Sequence, residues 1–365
     1  MREASKRANA NVVQRMGMGL LLLFLGFFAA AVFWPLGIVV FVAGAACFAW
    51  AAGIAVRNLV QNRAAASTIT VVGSVVVSLF AMGFAAFGGV VAYLSSMDFG
   101  RGRQLRRFGK ILLPPVQAGD TWVTISESAH DASELDIIDA ATREALAAQW
   151  RENGRTEHAS VAAFARLTLD LMTLGAPPAL VADAQRDALD EIRHAEMCFS
   201  LAARLDGRDA SPGAFPQATR ARTLPANRTL ALSTLAVDSL IDGALHEGVS
   251  AAVVAKLAAR TAVPHIAAMM REIARDEGRH AKHGWDVTSW CLAEGGAPVL
   301  NALQGAVQAL PEKLGADMPS DAKSGAWERW GIMSEALEHA EYTRMREHLV
   351  ARVAKLASQT SRLAA

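Results

Sequence analysis

The sequence is poor in cysteine and tyrosine. It has three cysteines, Cys47, Cys198 and Cys291, and no Cys-x-x-Cys pair. A disulfide framework is therefore not expected, and a cysteine-ligated zinc site or a rubredoxin-type iron site is excluded. The scarcity of cysteine also favours a reducing environment, on the cytoplasmic side of a membrane, for the polar part of the chain. Only two tyrosines are present, Tyr93 and Tyr342.

Charge is nearly missing from the first quarter of the chain. Residues 1–97 contain six basic residues and one acidic residue, Glu3, whereas the remaining residues contain 30 basic and 34 acidic ones. The net charge of +1 gives no indication of nucleic-acid binding. This uneven distribution indicates two solvents: a bilayer around residues 1–98 and water around the rest.

Long uncharged runs predict membrane spans. The 41 residues from Met16 to Val56 carry no charge, and one helix of that length would be about twice as long as the ~30 Å hydrocarbon core. Pro35 and Gly37 break the run near its middle. A cleaved signal peptide fits poorly because the run is too long, and the remaining alternative is a buried helical core in a soluble protein. Three spans are predicted, 17–34, 37–56 and 68–95.

The orientation in the membrane is not decided by the basic residues. Three spans would place the N-terminus and the polar part of the chain on opposite faces, with six flanking basic residues on one face and five on the other. The sequence therefore predicts a multi-pass protein of a bacterial-type inner membrane, with its sidedness open. The basic connector, residues 99–135, can lie against anionic headgroups.

The rest of the sequence predicts an all-α fold. Apolar residues recur at helical spacing, and Gly and Pro mark the ends. Short links within two helix pairs and a long, Pro- and Gly-rich connection between them, 207–226, are typical of a four-helix bundle with one crossover. The bundle is assigned to 136–296 and C-terminal packing helices to 297–365. The individual helices are expected at 136–174, 178–205, 229–260, 263–294, 298–310 and 325–358.

A doubled motif carries the strongest functional signal. Asp-Glu-x-Arg-His-Ala occurs at 190–195 and again at 276–281. Within each copy a Glu and a His three residues apart share one helix face. Each copy follows a lone Glu on an apolar stripe, Glu157 before the first and Glu247 before the second. Single Glu-x-x-His patterns are common on helix surfaces, but the combination matches the ligand set of a two-metal site inside a bundle.

Metal ligation explains why these carboxylates would lie on buried faces. Four converging buried carboxylates need protons or cations, and two metal ions would satisfy all four. Carboxylate-rich ligation with one imidazole per ion favours iron, with manganese as the alternative. The predicted metal ligands are Glu157, Glu191, His194, Glu247, Glu277 and His280.

Residues next to the ligands have weaker signals. Asp190 and Asp276 stand four residues before His194 and His280, so each can accept a proton from the Nδ1 atom of the His in its own helix. Arg193 and Arg279 can hold carboxylates or face solvent. Three further histidines adjoin ligand positions but point away from the site on regular helices, and we expect them to be exposed: His158, His246 and His283.

With these residues in place, residues 140–295 resemble the ferritin-like di-iron carboxylate superfamily, and in particular its rubrerythrin-like bacterial branch, through the phrase EHASVAAFAR at 157–166. The resemblance implies a ferritin-like bundle fused to an N-terminal membrane segment. It implies that the six residues bind two iron ions, with Glu191 and Glu247 as candidates to bridge them. The chain lacks a Cys-x-x-Cys electron-transfer module, so an external electron donor is needed. The scarcity of tyrosine disfavours a stored tyrosyl radical.

Three classes of function follow. The leading one is a membrane-anchored di-iron oxidoreductase, an oxidase, hydroxylase or peroxidase reacting with dioxygen or peroxide. The alternative is a membrane-tethered ferroxidase or iron-handling protein without an organic substrate, and the third is a metal-free structural bundle. An apolar pocket at the metals would favour the first, and an acidic path through Asp187, Asp238 and Asp242 the second. The other expected partners are the lipid bilayer and a second copy in a homodimer.

Overall fold

A computed structural model describes residues 102–107, 110–124, 138–215, 224–312 and 320–363. They belong to the second of the two units of the chain, Met97–Ala365. Within them the fold is all-α apart from four short strands, as the sequence predicts. The predicted spans 17–34, 37–56 and 68–95 lie outside the described residues. Among the described helices, none is both long enough and apolar enough to cross a bilayer.

The first helix pair consists of α1, Ala140–Leu174, and α2, Pro178–Asp206. Asp139 caps α1 by accepting a hydrogen bond from the backbone N–H of Thr142 at 3.0 Å, which shifts the start four residues beyond the sequence expectation. Gly175 ends α1 in the left-handed conformation at φ 72°. Pro178 then starts α2 where its missing N–H costs nothing. These signals make the link short and pack the two helices against each other.

The second pair is preceded by a long connection and contains an irregular helix. That helix runs as α3, Arg228–Asp238, then as a π-helical segment, Ser239–Glu247, and finally as α4, Gly248–Arg260. It is followed by α5, Pro264–Gly295. The outer bounds match the expected helices 229–260 and 263–294, but the π-helical segment was not predicted. Helix α5 packs against α2, α3, the π-helical segment and α4, so it lies at the centre of the bundle.

The C-terminal part differs from the expected helix 325–358. Helix α6, Ala297–Gln308, is followed by a short α7, Ser320–Lys323, a 3₁₀ turn, Glu328–Trp330, and α8, Glu335–Leu363. Gly331 adopts φ 79° and interrupts the helical pattern. Ser334 then accepts a hydrogen bond from the backbone N–H of Leu337 at 3.2 Å and caps α8. The buried side chains of Trp327, Met333, Leu337, Leu349 and Val353 pack in the core, as expected of packing helices.

Short strands attach the chain before α1 to the bundle. Strands β1, Arg106–Arg107, and β2, Lys110–Ile111, form one antiparallel hairpin, and β3, Val116–Ala118, pairs antiparallel with β4, Ala210–Pro212. The residues just before β1, Gly102–Leu105, are buried and are called the connector segment below. The N–H of Leu105 donates to the carbonyl of Ala159 in α1 at 3.4 Å. The connector segment therefore lies against the interior of the bundle.

Candidate metal centre

The structure brings the six predicted ligands together in the middle of the bundle. Helix α1 supplies Glu157, α2 supplies Glu191 and His194, and α5 supplies Glu277 and His280, while Glu247 is the last residue of the π-helical segment. Their donor atoms form two groups, and within each group all atoms lie within 4.8 Å of one another. One group contains Glu157, Glu191, His194 and Glu277, and the other contains Glu191, Glu247, Glu277 and His280. Either group can hold a metal ion.

The two groups share Glu191 and Glu277. Their positions differ from the expectation that Glu191 and Glu247 bridge the pair, because Glu247 belongs to one group only. Glu191 lies 3.2 Å through Oε1 from Nδ1 of His280 and 3.7 Å through Oε2 from Nδ1 of His194. Oε1 of Glu277 lies 3.5 Å from Nδ1 of His194. The two glutamates of the doubled motif, Glu191 and Glu277, are therefore the carboxylates that could contact ions in both groups.

Unsatisfied donor atoms converge at this point. Five of the six residues are at most 1% exposed, and Glu157 is half-buried. Among the described residues, no hydrogen-bond partner exists for either carboxylate oxygen of Glu247, for Oε2 of Glu191 and Glu277, or for Nδ1 of either histidine. Buried polar atoms are normally satisfied, and a cluster of unsatisfied carboxylate oxygens is suited to cations. The residues present therefore fit one or two metal ions.

The pKa values of the carboxyl groups also show that the cluster requires positive charge. Burial raises the pKa of Glu157 well above its usual value, and the nearby carboxylates of Glu191 and Glu277 raise it further. Burial followed by repulsion from Glu277 also raises the pKa of Glu247. Burial acts in the same direction on Glu191, but the nearby imidazoles of His194 and His280 outweigh it and lower the pKa of that carboxyl. A raised pKa means that a carboxyl group binds a proton more readily, and in the metal-free protein such a proton neutralises the charge that a metal ion would otherwise neutralise.

The histidines are held in the protonated form by their surroundings. Burial alone would lower the pKa of His280, but the carboxylates of Asp190 and Glu191 outweigh it and raise the pKa to about 10. Burial likewise opposes the charged form of His194, while Asp276 and Glu191 raise its pKa well above the usual value. A metal ion bound at Nδ1 would have to displace these protons.

The backbones of the π-helical segment and α5 are in close contact, and this contact places Glu247 among the other proposed ligands. A side chain at Gly284 of α5 would put its Cβ 2.5 Å from the backbone nitrogen of Ala244, and one at Gly243 would meet the Cα of Gly284 at 2.8 Å. The π-helical segment and α5 can therefore cross only because both contact positions are glycine. Glu247 follows Gly243 by one turn, just as Gly284 follows His280, so the crossing brings the two ligands together. Such π-helical segments are frequent at functional sites.

The residues behind the histidines are paired differently from the sequence expectation. Each imidazole uses Nε2, not Nδ1, and faces the Asp of the other helix: His194 lies 3.5 Å from Asp276 and His280 lies 3.4 Å from Asp190. The expected pairing within one helix is therefore wrong. The physical reason is that Nδ1 faces the centre, so Nε2 on the opposite side of the ring reaches the neighbouring helix.

Two arginines complete this arrangement. Arg193 of α2 donates to Asp276 at 2.8 Å and to Asp190 at 3.1 Å. Arg279 of α5 donates to Asp276 at 2.9 Å and also pairs with Asp190. Each carboxylate thus accepts from both arginines as well as facing a histidine. The motif residues Asp190, Arg193, Asp276 and Arg279 form a reciprocal network across α2 and α5.

Two histidines expected at the surface are buried. His283 is 3% exposed, and its Nδ1 lies 2.6 Å from Asp187, whose other oxygen lies 3.6 Å from Nε2 of His280. His283 is covered because its side chain faces α2, where it meets Asp187, and not the exposed side of α5 that carries Lys282. His246 is 1% exposed, because the π-helical winding shifts the faces that regular spacing assigns. His158 is half-buried between Trp122 and Phe215.

Sequence spacing contained a signal for one of these residues. Asp187 stands four residues before Glu191 and seven before His194, which puts it on the same face of α2 as both ligands. No comparable signal identifies the burial of the connector segment or the contact just after it, where the side chain of Arg106 in β1 donates to Asp242 at 2.5 Å. No family model, curated protein or solved structure matches the chain.

Proposed function

We propose that the chain is a membrane-anchored, ferritin-like di-iron oxidoreductase that reacts with dioxygen or peroxide, and that Glu157, Glu191, His194, Glu247, Glu277 and His280 hold its metal ions. The observation that carries the proposal is the pair of donor groups sharing Glu191 and Glu277, with unsatisfied carboxylate and imidazole atoms aimed at one volume. Carboxylate oxygens with one imidazole per ion suit iron, and manganese is the alternative ion.

The residues of the chain would have three roles: to bind the metal ions, to orient the imidazole rings and to exclude water. Glu191 and Glu277 would hold both ions at once, and the remaining ligands one ion each. The Asp–Arg network would fix the imidazole rings so that Nδ1 stays directed at the centre. The surrounding buried side chains would keep bulk water away. Bound iron would supply the electrons with which dioxygen or peroxide is reduced, and an external donor would restore them.

The surroundings of the centre favour this function over iron handling. An iron-handling protein would need an acidic entry path, for which Asp187, Asp238 and Asp242 are the candidates. Asp187 is fully buried and paired with His283, and Asp242 is paired with Arg106. Asp187 and Asp242 therefore have partners within the fold, and Asp238 is half-buried at the end of α3. The membrane run of the sequence supports anchoring and a hydrophobic substrate or donor, such as a lipid or quinol.

Metal analysis and dioxygen consumption test the proposal. The full chain, purified in detergent and loaded anaerobically with ferrous iron, should hold two iron ions per chain and consume dioxygen on mixing. Glu157→Ala and His280→Ala should each reduce bound iron and abolish fast dioxygen consumption. The matched controls Glu152→Ala in α1, whose side chain is 44% exposed, and His158→Ala should behave as the unsubstituted chain.

Two results would count against the proposal. If Glu157→Ala and His280→Ala bind as much iron as the unsubstituted chain, the site is assigned wrongly. If the chain keeps taking up iron far beyond two ions and accumulates a ferric mineral, it handles iron and the oxidoreductase proposal fails.

A further inference from the structure

The two copies of the doubled motif differ in the residues one helical turn away from their ligands. The residue four positions before the Glu of the motif is Asp187 in the first copy and Ile273 in the second. The residue three positions after the His of the motif is Met197 in the first copy and His283 in the second. A carboxylate and an imidazole therefore occur once each, and the equivalent position in the other copy is apolar.

Asp187 of α2 and His283 of α5 meet between the two helices. Asp187 is fully buried, His283 is 3% exposed, and Oδ2 of Asp187 lies 2.6 Å from Nδ1 of His283. Oδ1 of Asp187 has no hydrogen-bond partner among the described residues, and it lies 3.6 Å from Nε2 of His280. His283 therefore holds the carboxylate of Asp187 so that its second oxygen faces the ring of His280.

The two proposed imidazole ligands consequently differ in the number of carboxylates at Nε2. Nε2 of His280 faces Asp190 at 3.4 Å as well as Asp187 at 3.6 Å. In the part of the chain that the structure describes, Nε2 of His194 faces one carboxylate, that of Asp276, at 3.5 Å. Carboxylates behind a ligating histidine fix its ring and make its metal-binding nitrogen a stronger donor. The second carboxylate should therefore favour an ion at His280.

The two carboxylates behind His280 also differ in their own partners. Asp190 pairs with Arg193 and Arg279, which compensate its negative charge. Asp187 has no ion pair with an arginine or a lysine among the described residues, and its partners there are histidines. Charges interact strongly in a buried site because the interior screens them weakly. The charge of Asp187 therefore acts mainly on the two histidines that it faces.

The two donor groups of the proposed centre are called the His194 group and the His280 group after their imidazoles. The His194 group comprises Glu157, Glu191, His194 and Glu277, and the His280 group comprises Glu191, Glu247, Glu277 and His280. We propose that Asp187 and His283 are positioning residues that make the two groups unequal, so that the His280 group binds the first metal ion and binds it more tightly. The inference rests on the proposed function and adds an order of metal loading to it.

A third metal ion is the alternative role for Asp187. One donor atom each from Asp187, Asp190 and His280 lies within 4.8 Å of the other two. Arg279 pairs with Asp190 at this point, however, so a positive charge is already present. The imidazole of His280 would also have to bind an ion through each ring nitrogen, which requires the loss of both ring protons. The geometry therefore favours a positioning role.

Titration with cobaltous ions tests the order of loading. The full chain is titrated in detergent under anaerobic conditions, and visible absorbance follows binding. The unsubstituted chain should bind two ions in separate steps, the first about tenfold or more tighter than the second. The tight step should persist in Glu157→Ala, which alters the His194 group alone, and should disappear in Glu247→Ala, which alters the His280 group alone.

Substitutions behind His280 should change the first step only. Asp187→Asn and His283→Leu should each weaken the first step about 10- to 100-fold and leave the second step unchanged. His283→Asn keeps a side-chain N–H donor and should restore most of the affinity. The matched control is Met197→Leu, at the equivalent position of the other copy, which should leave both steps unchanged. A merely structural role would weaken both steps together.

The outcomes separate this inference from the proposed function. A chain that binds no metal overturns both. Two ions of equal affinity, or a tight step that survives in Glu247→Ala, overturn only the order of loading. An unchanged first step in Asp187→Asn, or equal weakening of both steps, contradicts the positioning role, and so does a third bound ion that this substitution removes. If Asp187→Asn does not fold, the comparison of His283→Leu with His283→Asn decides, because equal affinities in these two variants contradict the role of the hydrogen bond.

Discussion

Asp276 in α5 lies 3.5 Å from Nε2 of His194 in α2, so a carboxylate of the second motif copy supports the imidazole of the first. Asp276→Asn removes the negative charge that favours a proton on Nε2 and leaves Nδ1 less basic. We expect metal affinity to fall about 10- to 100-fold, the usual effect of losing such a partner. Titration with ferrous or cobaltous ions measures the change.

The control for this prediction is Asp286→Asn. Asp286 lies on the same helix and, within the part of the chain that the structure describes, pairs with the exposed Lys282 at 2.5 Å. It should leave metal affinity unchanged. Equal affinities of Asp276→Asn and the unsubstituted chain would show that the network does not support the ligands.

Gly284 is predicted to be indispensable for the crossing of α5 and the π-helical segment. Gly284→Ala would place a Cβ 2.5 Å from the backbone of Ala244, and a backbone contact cannot relax as a side chain can. We expect a loss of about 1–3 kcal/mol in the free energy of unfolding, together with weaker metal binding. Thermal unfolding followed by circular dichroism measures the first effect, and metal titration the second.

Gly278 provides a matched control on the same helix. An added Cβ there meets nothing within 4 Å. Gly278→Ala should therefore raise stability by roughly 0.5–1 kcal/mol, the usual gain from replacing glycine inside a helix. Destabilisation of both variants to the same extent would mean that the close crossing does not limit residue 284.

Metal binding is predicted to release protons. In the metal-free protein the pKa of Glu157 and Glu247 is raised, and that of His280 is raised to about 10, so the imidazole of His280 holds its proton near neutral pH. A cation must displace the protons, and its affinity should therefore increase with pH, by about tenfold per pH unit for each proton displaced. Calorimetric titrations in buffers of different ionisation enthalpy count the protons. Affinity independent of pH between 6 and 8 would contradict the raised pKa values.

The pair formed by Arg106 and Asp242 is predicted to stabilise the attachment of the connector segment. The two side chains are 6% and 18% exposed, so Arg106→Met leaves a largely buried carboxylate without its partner. The expected loss is about 3 kcal/mol in the free energy of unfolding. The control Arg186→Met breaks an exposed pair with Asp183 and should cost less than about 1 kcal/mol. Equal losses in the two variants would contradict this view.

The sequence predicts the helices well where local chemistry decides them. Pro178, Gly175 and Gly296 mark helix ends by their backbone preferences alone, and the structure places the ends there. The six ligands are also readable, because Glu-x-x-His and a lone Glu on an apolar stripe depend on helical spacing. The last helix was placed too early because Gly331 breaks it, and a single glycine within an apolar pattern is an ambiguous signal.

Contacts between distant segments were beyond the reach of local patterns. The π-helical segment at 239–247 departs from regular helical spacing, so spacing along the sequence assigned His246 to the wrong face. The choice of Glu277 over Glu247 as the second shared carboxylate likewise depends on how two helix pairs meet. The burial of Gly102–Leu105 is a tertiary contact between residues more than 50 positions apart.

Because of the reciprocal Asp–Arg network, neither helix pair can form its half of the proposed centre without the other. Each half of the chain carries a Glu-x-x-His of its own, but each imidazole takes its carboxylate from the opposite half, and each half lends one glutamate to both donor groups. A fragment containing only α1 and α2 would therefore not be a one-metal version of this protein. It would keep two glutamates and a histidine, but it would lose Asp276, the carboxylate that orients the imidazole of His194. Copying one motif into another protein would therefore not reproduce the metal site.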